Sequence, residues 1–270
     1  MSTRVSFRYK KDCKSEELSS CIKAVRLQEE GFCVAVYHPE TQEVYVIEEH
    51  LFEGTYPSNG KMHILAQVEG QWKTDADIRF VCFNPVNCQI PESLYEAQNR
   101  KLYLQLLTEQ TYPYVATEEL VEGFGLYTLS GWDKQLYHEI QVQYPGCEMH
   151  SGMFTLLRML ARQEGERKAV AFIENNRLHV AAACGDRLLG CNRFRFENGN
   201  DFLYYLVGFL HTTQKDLKDV RLYMGGQVET GSLLFTSTQK YVPHLELINC
   251  GFNGIQQDQH RFCDLLYGGK

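Results

Sequence analysis

The segment KAVAFIENNRLHVAAACGDRLLGCNRFRF, Lys168–Phe196, decides the fold class of this chain of 270 residues. Two turn signals, Glu174-Asn175-Asn176 and Cys184-Gly185-Asp186-Arg187, divide it into three short runs of strand-forming residues. Apolar Leu178, Val180 and Ala182 alternate along the middle run, which is the spacing of a strand with one face on a core. The segment therefore predicts an antiparallel three-stranded meander.

The residues after this meander predict helices that alternate with strands. We expect a helix at Asn200–Leu210, capped by Asn200 or Asp201, because its leucines recur at helical spacing. A strand Val220–Met224 follows and ends in Gly225-Gly226, then come a helix Ser232–Tyr241 and a strand Leu245–Ile248. The predicted order of the second half is βββαβαβ.

The first half repeats this plan by pattern rather than by identity. Three strand-like runs in Ser20–Phe52 are broken at Gln28–Gly31 and His38–Gln42. The later elements predicted for this half are a helix Lys61–Gly70, a strand Ile78–Phe83, helical residues between Pro91 and Thr108, a strand Gly125–Leu129, and helices Trp132–Val142 and Gly152–Gln163. We expect an α/β protein with two lobes, residues 1–165 and 166–270, and a cleft between them.

Composition excludes several classes of function. The net charge of −7 is opposite to the basic footprint of a nucleic-acid-binding protein, so no nucleic acid is expected as a partner. Arg193 and Arg195 alternate on one predicted strand, and a solvated strand face accounts for them better than a phosphate site. No apolar run approaches the roughly 20 residues of a membrane span.

Cysteine and histidine patterns indicate a reducing compartment without a metal centre. The ten cysteines form no CxxC pair, and the N-terminal stretch has no continuous apolar run typical of a secretory signal. We expect reduced thiols in a cytoplasmic protein. The nine histidines form no HxH or HExxH motif, so no metal ligands are predicted.

The stretch Asn192–Gly226, NRFRFENGNDFLYYLVGFLHTTQKDLKDVRLYMGG, followed by Tyr241 after a helix, resembles the signature of an uncharacterised bacterial family. Gln89–Tyr95 also resembles the Val-Pro-x-x-Leu-Phe segment of that family. The family is a domain of unknown function with an actin-like ATPase fold, which sugar kinases, heat-shock chaperones and actin share. The resemblance implies two ribonuclease H-like βββαβα units facing across a cleft, and it implies no activity.

Enzymes of this superfamily hold ATP between two β-hairpins, each with an Asp beside a glycine- or hydroxyl-rich turn. The corresponding turns of this chain contain Glu29 with Gly31 and Glu174 with Asn175. Gly225-Gly226 resembles the glycine pair that lies close to adenine and ribose in nucleotide-binding relatives. These six residues are the candidates for binding ATP with magnesium, although ordinary turn chemistry also accounts for them. No catalytic residue is identified.

Because the expected phosphate-binding motifs are degraded, we expect a non-catalytic interaction or scaffolding protein whose partner is another protein. The alternatives are an ATP-binding kinase or ATPase and a sensor that binds a small molecule in the cleft. Tyr204 and Tyr205 are neighbours on one predicted helix and point about 100° apart, so at most one faces the core fully. The other is a candidate for a partner contact.

Overall fold

The structure is a computed structural model that describes residues 3–12, 18, 20–53, 58–69, 77–83, 85–107, 113–214 and 216–267. Its strands are β1 (Thr3–Lys10), β2 (Ile22–Leu27), β3 (Gly31–His38), β4 (Glu43–Phe52), β5 (Asp77–Cys82), β6 (Val86–Pro91), β7 (Tyr114–Val121), β8 (Leu126–Asp133), β9 (Glu148–Ser151), β10 (Arg167–Glu174), β11 (Arg177–Cys184), β12 (Arg187–Arg195), β13 (Arg221–Gly226) and β14 (His244–Leu247). Its α-helices are α1 (Ser58–Glu69), α2 (Arg100–Leu107), α3 (Lys134–Gln143), α4 (Gly152–Arg162), α5 (Gly199–Thr213), α6 (Leu233–Gln239) and α7 (Cys263–Leu266).

The two halves of the chain form separate sheets with the same topology. The first sheet has the order β1-β4-β3-β2-β5-β9, and the second has the order β12-β11-β10-β13-β14. In each sheet three strands form an antiparallel meander, and two further strands join in parallel beside its first strand. The prediction that the two meanders are copies of one plan is confirmed.

The extra edge strand and the region between β5 and β9 differ from the expected plan. β1 pairs with β4 and adds a strand to the first sheet that was not predicted. Strands β6, β8 and β7 form a third, three-stranded antiparallel sheet. The predicted helix Trp132–Val142 is wrong at its start, because Trp132 belongs to β8 and Asp133 caps α3 by accepting a hydrogen bond from the backbone N–H of Leu136 at 2.8 Å.

Most other predicted helices occur close to their expected positions, with differences at their ends. Helix α5 begins at Gly199 and is capped by Asn198, whose side chain accepts hydrogen bonds from the backbone N–H groups of Asn200 and Asp201, so the predicted cap was wrong. Asn198 is the N-cap because its extended backbone places the side-chain oxygen within hydrogen-bonding distance of the free amides in the first turn. Gly70 and Thr108, at which two predicted helices end, lie outside the described residues.

A hydrophobic core lies between the two main sheets, with α4 and α7 inside it. One core cluster combines Tyr37 and Ala35 of the first sheet with Phe172 of the second, Leu156 of α4 and Leu265 of α7. The outer faces of the sheets have their own cores, under α1 and α3 in one case and under α5 and α6 in the other. Strands β3 and β11 are therefore buried on both faces, and the lobes are packed directly against each other.

The C-terminal stretch connects the two halves. Asn253 forms a parallel bridge with Glu43 of β4, and the backbone N–H of Val44 donates to the Asn253 carbonyl at 3.2 Å. The division into residues 1–165 and 166–270 stays a prediction. None of the nine cysteines within the described ranges forms a disulfide, and Cys13 lies outside them. No helix in the described part of the chain has the length and apolar character to cross a bilayer.

Candidate functional site

The turn between β2 and β3 forms the first hairpin tip of the site. Its backbone closes through a hydrogen bond from the N–H of Gln28 to the carbonyl of Gly31 at 3.0 Å. A side chain at Gly31 would meet the carbonyl oxygen of His50 at 2.0 Å, so close packing against β4 requires the glycine. Glu29 and Glu30 have exposed side chains at the tip. The tip therefore presents carboxylates to the neighbouring lobe.

The turn between β10 and β11 forms the second hairpin tip, at the equivalent place in the other sheet. Asn175 has a left-handed backbone with φ of 53°, a conformation that asparagine tolerates in a tight turn. Its backbone N–H donates to Oε1 of Gln227 at 2.8 Å, which ties the turn to the end of β13. Arg177, the first residue of β11, lies directly opposite Arg195 of β12.

A cavity of about 230 Å³ lies between the two tips. It is lined by Glu29, Glu30, Glu174, Asn175, Asn176, Arg177 and Arg195. An ion pair joins the two walls, since the guanidinium of Arg177 donates to Oε2 of Glu29 at 2.6 Å. Charged side chains from both sheets therefore meet at the hairpin tips and connect them.

A buried glutamate–histidine pair lies next to the second hairpin tip, and Glu174, one of its members, lines the cavity. Glu174 is 4% exposed and His179 is 1% exposed, and their Oε2 and Nε2 atoms lie 3.5 Å apart. Burial raises the pKa of Glu174, but His179 and the charge of Arg26 outweigh it and leave that pKa below its usual value. Burial also lowers the pKa of His179. At neutral pH the pair thus consists of the Glu174 carboxylate and the neutral imidazole of His179.

Aromatic rings fill the groove beneath this pair. The ring of Phe83, just after β5, stacks on Phe172 of β10 with centroids 5.0 Å apart. The same ring lies 4.4 Å from the imidazole of His179. Rings from both sheets therefore pack against each other next to the cavity.

A buried ion cluster lies on the opposite side of Phe172. Arg26 of β2 is 2% exposed and donates to Oδ1 of Asp264 in α7 at 2.8 Å and to Oε1 of Glu49 in β4 at 3.1 Å. Burial raises the pKa of Asp264 to about 6, and the charge of Arg26 opposes this effect only in part. Its guanidinium carbon also lies 5.9 Å from the centre of the Phe172 ring. These contacts connect β2, β4 and α7 to the second sheet.

The predicted glycine pair contacts protein rather than the cavity. A side chain at Gly225 would meet Sγ of Cys263 at 2.7 Å, and one at Gly226, where φ is 82°, would meet the carbonyl oxygen of Ile173 at 2.0 Å. The structure thus brings together three of the six candidates, Glu29, Glu174 and Asn175, at the cavity. The ATP-binding role of all six stays a prediction.

Two arginines of the cavity were not among the predicted site residues. From the sequence alone, Arg195 is assigned to a solvated strand face, and Arg177 is not singled out. The alternation of Arg193 and Arg195 was the available signal, since residues two apart on a strand share a face. No group of three His, Cys, Asp or Glu side chains arranged to hold a metal occurs within the ranges that the structure describes.

Comparison with models of protein families shows which family this chain belongs to. The model for a protein of unknown function, DUF3822, matches residues 11–245. The chain belongs to the DUF3822 family. This confirms the resemblance to a family of unknown function. A search of curated proteins finds no match for this DUF3822 member.

Solved structures similar to the DUF3822 chain share its fold at low identity. A Bacteroides thetaiotaomicron protein with an actin-like ATPase fold and unknown function is 16% identical, with a TM-score of 0.75 over 95% of this chain and 99% of that one. The PilM–PilN type IV pilus biogenesis complex contains a chain that is 10% identical, with a TM-score of 0.59 over 92% of this chain and 98% of that one. The DUF3822 chain therefore has the actin-like ATPase fold.

Proposed function

We propose that this DUF3822 protein is a non-catalytic, cytoplasmic actin-like interaction protein, which binds another protein and does not turn over ATP. The observation that supports this most directly is the ion pair between Glu29 and Arg177 at 2.6 Å. It joins the two hairpin tips at the position where this fold receives phosphates. A nucleotide would have to break the pair before its phosphates could approach both turns.

The charge of the cavity also disfavours a nucleotide. Three carboxylates and two guanidinium groups line it. Phosphate binding needs turns with small side chains, so that backbone amides can be reached, whereas these turns contain glutamate and arginine. A polyphosphate at this place would meet Glu29, Glu30 and Glu174 as like charges. Hydrolysis also requires positioned groups around the transferred phosphoryl, which this lining does not offer.

An interaction role agrees with the surface of the second lobe. Tyr205 packs against Phe194 with ring centroids 4.9 Å apart, whereas Tyr204 is 76% exposed. This confirms that only one of the adjacent tyrosines faces the core. Leu233 at the start of α6 and Tyr241, two residues after its end, are exposed as well. Exposed tyrosines are typical anchors of protein contacts. One protein of this fold is found in the PilM–PilN complex, which supports a protein partner.

Thermal denaturation with and without Mg-ATP tests the nucleotide part of the proposal. A ligand at a hundred times its dissociation constant stabilises by about 2.7 kcal/mol, which raises the melting temperature by roughly 5–10 °C in a chain of this size. We expect no rise. Steady phosphate release that is lost in Glu174→Ala would overturn the proposal and favour the kinase or ATPase alternative.

Site-specific photo-crosslinking in cells tests the partner. A photoreactive residue at Tyr204 is expected to give one discrete adduct with another protein. The matched control places the same photoreactive residue at Lys218, which is exposed on the same lobe but does not belong to the set Tyr204, Leu233 and Tyr241. Equal adducts at both positions, or none at Tyr204, would contradict the proposed surface.

A further inference from the structure

Another cavity, here called the α4 cavity, lies between α4 and the end of β7 and has a volume of about 510 Å³. Its apolar walls are Leu120 and Val121 of β7 and Phe154 and Ala161 of α4. Sites that enclose small molecules have volumes of roughly 300–1,000 Å³ and are mostly apolar, with a few polar groups that orient the ligand. The α4 cavity has the size and the apolar walls of such a site.

The polar groups of the α4 cavity come mainly from a helix that is otherwise interior. All residues of α4 except Arg158, Ala161 and Arg162 are buried, and these three line the α4 cavity. A helix packed in a core is normally apolar on every side. The side of α4 at the α4 cavity has two arginines instead, one helical turn apart.

Aromatic rings orient both guanidinium groups. The guanidinium carbon of Arg158 lies 5.4 Å from the centre of the Phe154 ring, and that of Arg162 lies 5.4 Å from the centre of the Tyr267 ring. Arg162 also donates a hydrogen bond to the backbone carbonyl of Tyr267 at 3.3 Å. A guanidinium has a rigid fork of N–H donors that matches a carboxylate, and stacking on a ring fixes the plane of that fork before a ligand arrives.

The charged lining of the α4 cavity has one positive charge in excess. It consists of two guanidinium groups, Arg158 and Arg162, and one carboxylate, Glu122. Like charges one turn apart on a helix repel each other. Burial lowers the pKa of Arg158, and the positive charges of Arg162 and Arg79 lower it further. An anion between the two guanidinium groups would offset this repulsion.

We propose that the α4 cavity binds a carboxylic acid with an apolar chain, with the carboxylate against Arg158 and Arg162 and the chain against Val121 and Phe154. A carboxylate carries a single negative charge, which matches the excess of one positive charge in the lining. A phosphate monoester carries a charge of about −1.5 to −2 at pH 7 and matches it less well. This inference goes beyond the proposed function and does not depend on it, because the α4 cavity shares no lining residue with the cavity at the hairpin tips.

Isothermal titration calorimetry with acetate, butyrate, hexanoate and octanoate tests the inference. Each methylene group that enters the α4 cavity is expected to tighten binding about fourfold. The controls are 1-hexanol and hexylamine, which have the apolar chain without the negative charge. We expect hexanoate to bind about tenfold or more tightly than either control, because both lack the charge-assisted hydrogen bonds to the guanidinium groups. Equal binding of hexanoate and 1-hexanol, or no heat with octanoate at about 10 mM, would overturn the inference.

Two variants with opposite expected effects locate the site. Arg162→Gln removes a positive charge and is expected to weaken octanoate binding about tenfold. Glu122→Gln removes the opposing carboxylate and is expected to tighten it about twofold to fivefold. Both side chains are exposed, so both variants should fold. Arg187→Gln is the matched control and should leave binding unchanged, because Arg187 is exposed on β12 and does not line the α4 cavity. Unchanged octanoate binding in Arg162→Gln, or weaker binding in Glu122→Gln, would also overturn the inference.

Discussion

Replacing Arg26 by methionine should remove the cation that holds two carboxylates in the interior. Methionine keeps an unbranched apolar side chain at this position and removes the hydrogen bonds to Asp264 at 2.8 Å and Glu49 at 3.1 Å. Glu49 retains Arg261 at 3.5 Å, but Asp264, which is fully buried, loses its nearest cation. Breaking a buried pair by removing one partner typically costs about 3–5 kcal/mol. We expect Arg26→Met to lower the free energy of unfolding by that amount.

Urea unfolding at pH 7, followed by circular dichroism, measures this loss. Arg8→Met is the matched control, because Arg8 pairs with Glu48 on the same strand β4 at 2.7 Å but its side chain is 58% exposed. Water screens the exposed Arg8, and the buried Glu48 keeps His50 at 3.2 Å, so the loss of this pair is expected to cost about 0–1 kcal/mol. If Arg26→Met is too unstable to purify, Arg26→Met/Asp264→Leu should regain stability, because it also removes the orphaned carboxylate. Losses for Arg26→Met and Arg8→Met that agree within about 1 kcal/mol would refute the reasoning.

Three further changes have defined outcomes in the same unfolding assay. Burial raises the pKa of Asp264 to about 6. The folded state therefore binds the Asp264 proton more tightly than the unfolded state does. The stability that this proton contributes is present below about pH 4 and is lost as the pH rises to about 6. Asp264→Asn should remove this slope, and an unchanged slope would contradict the assignment. Gly226→Ala should cost more than about 2 kcal/mol, since its Cβ would meet the carbonyl oxygen of Ile173 at 2.0 Å at a φ of 82°. Gly208→Ala, in open space on α5, should instead stabilise by about 0.5–1 kcal/mol, and a loss there would be the contrary result.

The duplicated meanders could be predicted because both leave strong local signals. In the second half, turn residues separate three strands, of which β10 and β11 are almost entirely buried, and Leu178, Val180 and Ala182 all face the outer core as their alternation indicates. The first meander shows the same pattern in Phe32 and Val34. Strands β1 and β7 were missed because they are weakly buried. Val5, Phe7 and Tyr9 alternate along β1, and this spacing was the signal that could have revealed it.

The site could be predicted only in part, since its residues meet through the tertiary fold. The turn patterns located both hairpin tips, and these tips do face each other across a cavity. No local pattern could show that Arg177 reaches Glu29, because 148 positions separate them along the chain. The glycine pair at the end of β13 was interpreted by resemblance to nucleotide-binding proteins, whereas its nearest neighbours are Ile173 and Cys263. Tight internal packing and ligand contact leave the same glycine signal in a sequence.

The ion pair between Arg26 and Asp264 sets an order for biosynthesis. Its partners are 238 positions apart, and ribosomes add about 5–20 residues each second, so the aspartate is made roughly 12–48 s after the arginine. During that interval Arg26 has Glu49 of its own sheet as a partner but lacks Asp264, on a surface that later becomes interior. The sheet can form its strands in this period, but the ion pair across the central core can form only after α7 has left the ribosome.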